Sequence, residues 1–201
     1  MLQEINRQIL LNLNSLTSLE FIEKTVYIFA DAPIFFLPIF LVIMWIYHTH
    51  FHSTYAPIIE QKKEKLLLIF YSCVIWIIIA LIIQQFVTLE RPESFIENYW
   101  KLLISHIPDA SFPSDHATVS FAFLTSLFLA WYKKTWLLFL PFVIIMNLSR
   151  VIAWIHWPFD IVAWLLVWIF SAIITFKILG ENKLVKKLNL WIIKTISIFK
   201  L

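Results

Sequence analysis

From Leu66 to Val87 the chain runs 22 residues without a charged side chain. As a helix rising about 1.5 Å per residue, that run is long enough to cross the roughly 30 Å hydrocarbon core of a bilayer. The rest of the sequence has the same character: 61% of its 201 residues are hydrophobic and 14% charged. Soluble domains sit near one half and one quarter. A core of this size cannot hide such an excess, so the chain reads as one membrane domain over residues 1–201, with lipid as its solvent. The one glycine, Gly180, excludes a glycine-rich phosphate loop or a Rossmann fingerprint. The one cysteine, Cys73, excludes a disulfide framework and reads as a packing residue.

Taken in order, the chain predicts an all-α fold: five transmembrane helices with amphipathic interfacial helices at both ends. Leu2–Leu16 places Leu2, Ile5, Ile9, Leu10 and Leu13 on one face and predicts a helix lying on the membrane surface. It lacks the charged start and small-residue cleavage site of a signal peptide. Thr17-Ser18-Leu19-Glu20 reads as a helix start. A first span is expected from about Thr25 to Tyr47 and contains Asp31, which either looks into a polar site or sits at the interface. His48, His50 and His52 alternate in an expected loop. Alternation gathers side chains only on a strand, so they read as membrane-edge residues and not as a metal site. Leu66–Val87 is the second span. The long loop over 88–115 is expected to carry a short interfacial helix through Phe95, Tyr99, Leu102 and Leu103. Further spans are expected at His116–Trp131, Trp136–Ala153 and Phe159–Leu179, the last capped by Gly180. Pro158 suits a helix first turn. Leu184–Leu201 is basic and amphipathic and fits an anionic leaflet.

Five spans divide the cations unequally. Lys62, Lys63, Lys65, Lys133, Lys134, Lys177, Lys183, Lys186, Lys187, Lys194 and Lys200 fall on one side. Arg7, Lys24, Arg91, Lys101 and Arg150 fall on the other, so the count is 11 against 5 of the 16. The positive-inside rule makes the lysine-rich side and the C-terminus cytoplasmic.

Three polar groups then share the outer side: Arg91, Ser114-Asp115-His116, and Arg150 with His156 and Asp160. Two guanidiniums offer planar, permanently charged donors that match a phosphate. Ser114 is a natural N-cap, and the free amides of a helix start attract an anion. An Asp four residues after His156 can hold the imidazole in one tautomer, as in catalytic triads. His116 is left as a proton donor. Each residue alone is more often a boundary residue or a snorkeling cation. Their joint placement on one side points to phosphoryl transfer without a metal or cofactor.

Arg91-Pro92, Pro113-Ser114-Asp115-His116 and Ser149-Arg150-x5-His156-x3-Asp160 together resemble the three-part signature of the type 2 phosphatidic acid phosphatase superfamily. The motifs cover residues 84–160. The resemblance implies His156 as a nucleophile that forms a phosphohistidine, Asp160 as its partner and His116 as general acid. It implies that Arg91, Ser114 and Arg150 hold the phosphoryl oxygens. Two positions depart from the family pattern: Gln84 stands where a lysine is usual, and Asp115 where a glycine is usual. Gln84 retains a neutral donor for the phosphate; Asp115 must point away, pair with an Arg, or tune His116. The stretch Asp109–His116 resembles the bacterial undecaprenyl pyrophosphate phosphatase branch. That branch implies an inner-membrane enzyme with a lipid diphosphate substrate, an outward-facing site and no nucleic-acid partner. Lipid A, phosphatidylglycerophosphate and phosphatidate phosphatases are rival readings, and a non-catalytic lipid-binding protein is a reading of another class. Vanadate-dependent haloperoxidases share the site layout but are soluble, unlike this composition.

Overall fold

The computed structural model describes residues 1–51, 55–87, 89–92 and 111–199. Among them the regular structure is helical: α1 (Leu2–Ser15), a 3-10 turn (Leu16–Ser18), α2 (Glu20–Phe29), α3 (Pro33–His50), α4 (Ala56–Gln84), α5 (Asp115–Leu129), α6 (Lys133–Ile152), α7 (Pro158–Glu181) and α8 (Lys183–Ser197). Three of these, α3, α4 and α6, are long and apolar enough to cross a membrane. The interfacial helix expected through Phe95–Leu103 lies outside the described residues.

The short helix α5 is the centre of the bundle, packed against α4, α6 and α7. Ala117, Phe121, Ala122, Phe123, Leu124 and Leu127 are buried on it, together with Thr118, Ser120 and Ser126. Small and hydroxylated residues let neighbouring helices approach closely, which suits packing within a bilayer. Around it the outer helices turn large apolar side chains outward: Phe35, Phe36, Ile39, Val42 and Ile43 on α3, and Leu137 and Leu138 on α6. An outside this apolar is a lipid-facing outside, and the protein is a membrane protein.

The expected first span is in fact two helices. Ala30-Asp31-Ala32 forms a turn between α2 and α3. Pro33 stands at the break and opens α3: it has no N–H to donate back, which suits a first helical position. The break matters for function, because it frees Asp31 from a continuous helix. α1 and α2 differ from expectation as well. They dock on the bundle instead of only lying beside it: Asn14 donates through Nδ2 to the Ile152 carbonyl at 2.8 Å, and Asn6 Oδ1 accepts from the Phe159 N–H at 3.1 Å. Leu10 packs with Val151 and Trp154, and Val26 with Ala153 and Ile155. Both helices therefore enclose the α6–α7 turn. His48 and His50 belong to α3 and not to a loop. His48 is buried, with Nε2 2.9 Å from the Tyr132 hydroxyl, so it ties α3 to the α5–α6 turn.

Helix ends here do without glycine. α5 and α6 each stop at a tryptophan in the left-handed region, Trp131 and Trp154, both at φ 67°. After α6, the Trp154 N–H reaches the Val151 carbonyl and the Ile155 N–H reaches the Arg150 carbonyl, each at 3.0 Å. After α5, the Trp131 and Tyr132 N–H groups reach the Phe128 and Leu127 carbonyls, also at 3.0 Å. These pairs are the two bonds of a Schellman motif. Gly180, expected to end α7, lies inside it; the helix runs to Glu181 and ends at Asn182, whose Oδ1 accepts from the Leu184 N–H to start α8. A Cβ at Gly180 would meet Leu68 Cδ1 at 3.6 Å, an ordinary contact. Gly180→Ala is therefore expected to stabilise the protein by about 0.5–1 kcal/mol, read as a rise of a few degrees in Tm.

Candidate active site

Five chain segments bring polar groups to one end of the bundle: the α2–α3 break, the C-terminal end of α4, the N-terminal end of α5, the C-terminal end of α6 and the start of α7. The alternating direction of the packed helices puts these ends together. The side chains then do the rest.

The Schellman motif after α6 fixes the spacing between Arg150 and His156. Arg150 supplies the carbonyl that the Ile155 N–H closes on, so the chain folds back and the next residue, His156, faces Arg150. The Arg150 Nη2 lies 3.4 Å from His156 Nε2. His156 is 1% exposed. Its Nδ1 is 2.9 Å from the Ser111 carbonyl oxygen. A carbonyl can only accept, so Nδ1 carries the proton and Nε2 presents its lone pair in the neutral ring. Burial, with Arg150 and then Arg91 nearby, pushes the imidazole pKa well below its ordinary value of 6.5. The neutral form is therefore the resting form at neutral pH.

Asp160 was expected to hold this imidazole directly, and the geometry is different. Asp160 sits in the first turn of α7, and its Oδ2 turns back to accept from the Trp157 N–H at 3.2 Å, the usual use of an acid near a helix start. The same oxygen accepts from the Ser111 hydroxyl at 2.7 Å. Ser111 is fully buried, and its own N–H donates to the Leu89 carbonyl at 2.7 Å. Asp160 thus reaches His156 through Ser111, whose hydroxyl meets the acid while its carbonyl meets the ring. Sequence reasoning missed Ser111. Its contact to His156 is made by the backbone, which any residue type supplies, and only its hydroxyl, which meets Asp160, depends on its being a serine.

Arg150 also organises the other flank. Its Nη1 donates to the Ala30 carbonyl at 3.2 Å and to Asp31 Oδ1 at 2.5 Å. The same Asp31 oxygen is 3.3 Å from His116 Nε2. Of the two readings of Asp31, the structure supports the polar-site one: its carboxylate joins Arg150 to His116. Arg91 is buried, with Nη1 donating to the Ile155 carbonyl at 3.1 Å. Ser114 caps α5, its Oγ accepting from the Ala117 N–H at 3.3 Å.

The two departures from the family pattern meet each other. Gln84 Nε2 donates to Asp115 Oδ1 at 2.8 Å and to the Pro113 carbonyl at 2.7 Å. An amide nitrogen has two hydrogens, and both are taken. Gln84 is therefore not the neutral phosphate donor expected of it. It pins the loop before α5 and supplies Asp115 with a partner. No grouping of His, Cys, Asp and Glu that would hold a metal ion occurs among the described residues.

The Ser111 bridge predicts a coupled response. Ser111→Ala and Asp160→Asn should each lower kcat by about 10-fold with little change in KM, and the double variant should be no worse than about the larger single effect. Steady-state kinetics on the four proteins check this. A direct carboxylate–imidazole pair would instead lose about 10⁴-fold with Asp160→Asn alone.

Comparison with known proteins gives the family. The sequence is 35% identical over 130 residues to a putative undecaprenyl-diphosphatase of Escherichia coli (strain K12), a match covering 59% of this chain and 64% of that protein. It is 28% identical over 158 residues to a bacitracin transport permease protein of Bacillus licheniformis, covering 77% of this chain and 70% of that protein. It is 32% identical over 102 residues to an undecaprenyl-diphosphatase of Bacillus subtilis (strain 168), covering 50% of this chain and 52% of that protein. The chain thus spans between about half and about two thirds of the length of two of these relatives. No solved structure matches it. The PAP2 superfamily model matches residues 65–184, the segment that carries the second motif, the third motif and Arg91. The chain belongs to the PAP2 superfamily.

Proposed function

We propose that this protein is a lipid phosphatase that removes the terminal phosphate of undecaprenyl diphosphate at the outer face of a bacterial inner membrane. One observation carries the reading: a buried imidazole with its proton held on Nδ1 presents the Nε2 lone pair beside Arg150, at the end of a membrane helix bundle. The relatives named undecaprenyl-diphosphatase support the substrate class. The lysine excess on the opposite side supports the outward orientation.

The chemistry follows from the placement of each group. His156 Nε2 attacks the terminal phosphorus, and the P–O bond to the lipid phosphate breaks. Arg150 and Arg91, with the Ser114 cap and the free amides at the start of α5, neutralise the charge spread over the phosphoryl oxygens. His116 gives its proton to the leaving oxygen. Its neutral imidazole then takes a proton from the water that attacks the phosphohistidine, releasing inorganic phosphate and restoring both rings. Asp31 holds His116 and Arg150 at a fixed separation through the oxygen they share. The bilayer supplies the substrate, and no step calls on a metal ion.

Phosphate release by the purified protein in detergent with EDTA tests this reading. Undecaprenyl diphosphate, phosphatidate, phosphatidylglycerophosphate and lipid A are compared, each with a His156→Ala control. The expected outcome is EDTA-insensitive release, fastest with undecaprenyl diphosphate and reduced by about 10³-fold or more in the control. A base-stable, acid-labile phosphoenzyme should form in the wild type. Its rate of formation should hold as pH falls through 6.5, because the buried His156 resists protonation there. Release that requires a metal or survives His156→Ala would sink the mechanism. Lipid binding without release in either protein would leave a lipid-binding protein instead.

A further inference from the structure

A cavity of about 310 Å³ opens between α3, α5 and α6. Phe36 and Leu37 form one wall and Leu138, Phe142 and Met146 another. Ser120, from α5, is the polar side chain in the lining. Its hydroxyl is already engaged, 3.3 Å from the Ala117 carbonyl and 3.1 Å from Asn147 Nδ2, so it leaves the cavity dry.

The position of this cavity tells what it is for. Ser120 is four residues after His116, and Met146 four before Arg150. Pro33, also in the lining, is two after Asp31. Each wall therefore starts within about one helical turn, roughly 6 Å, of the Asp31–His116–Arg150 cluster. From Met146 back to Leu138 the groove runs eight residues along α6, about 12 Å into the apolar part of the bundle. Phe36, Leu138 and Phe142 are 60%, 61% and 43% exposed, so its long side opens to lipid and not to water. A hydrocarbon chain attached to a phosphate at the cluster enters it sideways from the bilayer, and the excess length passes back out.

Resting on the phosphatase reading, we infer that this groove binds the head-proximal part of a single prenyl chain and selects one-chain lipid diphosphates as substrates. At the roughly 30 Å³ taken by a group the size of a water molecule, 310 Å³ admits about ten methylene-sized groups. That is one chain abreast. A diacyl lipid phosphate brings two chains to the same headgroup, and this groove has room for one of them. Aromatic walls from Phe36, Phe139 and Phe142 also suit the flat, unsaturated units of a prenyl chain.

The test keeps the headgroup constant and varies the tail. Wild-type protein is assayed in detergent on farnesyl diphosphate and on isopentenyl diphosphate, and the ratio of the two kcat/KM values is the readout. The wild type should favour the longer chain by about 100-fold or more, since each buried methylene contributes a factor of a few. Phe142→Trp and Leu138→Trp fill the groove from its lipid-facing side and should cut that ratio by about 10-fold. Phe35→Trp, on the same helix as Phe36 but outside the lining, should leave the ratio unchanged. A ratio that does not move in the filled variants overturns the groove. So does a diacyl phosphate that is turned over faster than farnesyl diphosphate and is indifferent to the filling. Absence of His156-dependent release from either diphosphate would instead overturn the phosphatase reading, and the groove's role with it.

Discussion

The buried guanidinium of Arg150 is the constraint on which the site depends. At 2% exposure it is a permanent charge taken out of water, and such a charge must be surrounded by acceptors or by anions. The chain provides them from places far apart in sequence: the Ala30 carbonyl and Asp31 from the α2–α3 break, and His156 Nε2 from the turn that follows α6. One residue thus sets the relation between His156, His116 and the N-terminal region. Asp31 would be costly at membrane depth without that partner. Pro33 opens α3 two residues after Asp31, which leaves Asp31 in the turn between α2 and α3 where it meets Arg150.

The turn that carries His156 is held with similar economy. Its backbone is fixed by a Schellman motif with a tryptophan in the left-handed position, at a cost that tertiary packing offsets. Ala153, Trp154, Ile155 and His156 are all buried, the first three against α1 and α2. This gives the amphipathic N-terminal helix a structural role beyond membrane attachment. The loop before α5 is fixed as firmly: Ser111 uses its N–H, carbonyl and hydroxyl, and Gln84 binds the Pro113 carbonyl and Asp115. Preorganised donors and a ring held in one tautomer suit a reaction in which negative charge moves between fixed positions.

The Gln84–Asp115 contact bears on how a family pattern drifts. A lysine and a glycine at these positions would offer a cation and a bare backbone near the phosphate. A glutamine and an aspartate offer a hydrogen-bonded pair that also ties down the Pro113 carbonyl. The two departures are readable only together, since each alone looks like the loss of a functional residue.

The sequence by itself determined the class of the molecule and singled out polar residues that the structure brings to one end of the bundle. The apolar runs demanded lipid, and alternating helix direction alone put Arg91, Ser114, His116, Arg150, His156 and Asp160 at one end. The motif spacing suggested their chemistry. Tertiary structure decided the contacts. Periodicity cannot show that Pro33 splits a hydrophobic run, nor that Gly180 lies inside a helix while tryptophans take the left-handed positions, because helix termination depends on packing beyond the local residues. It cannot show which acid meets which histidine, either: Asp160 turns to Ser111 and the Trp157 N–H, and Asp31, 85 residues before His116, meets that ring. Side-chain partners across a bundle are set by distances between helices, and a single sequence carries no measure of those distances.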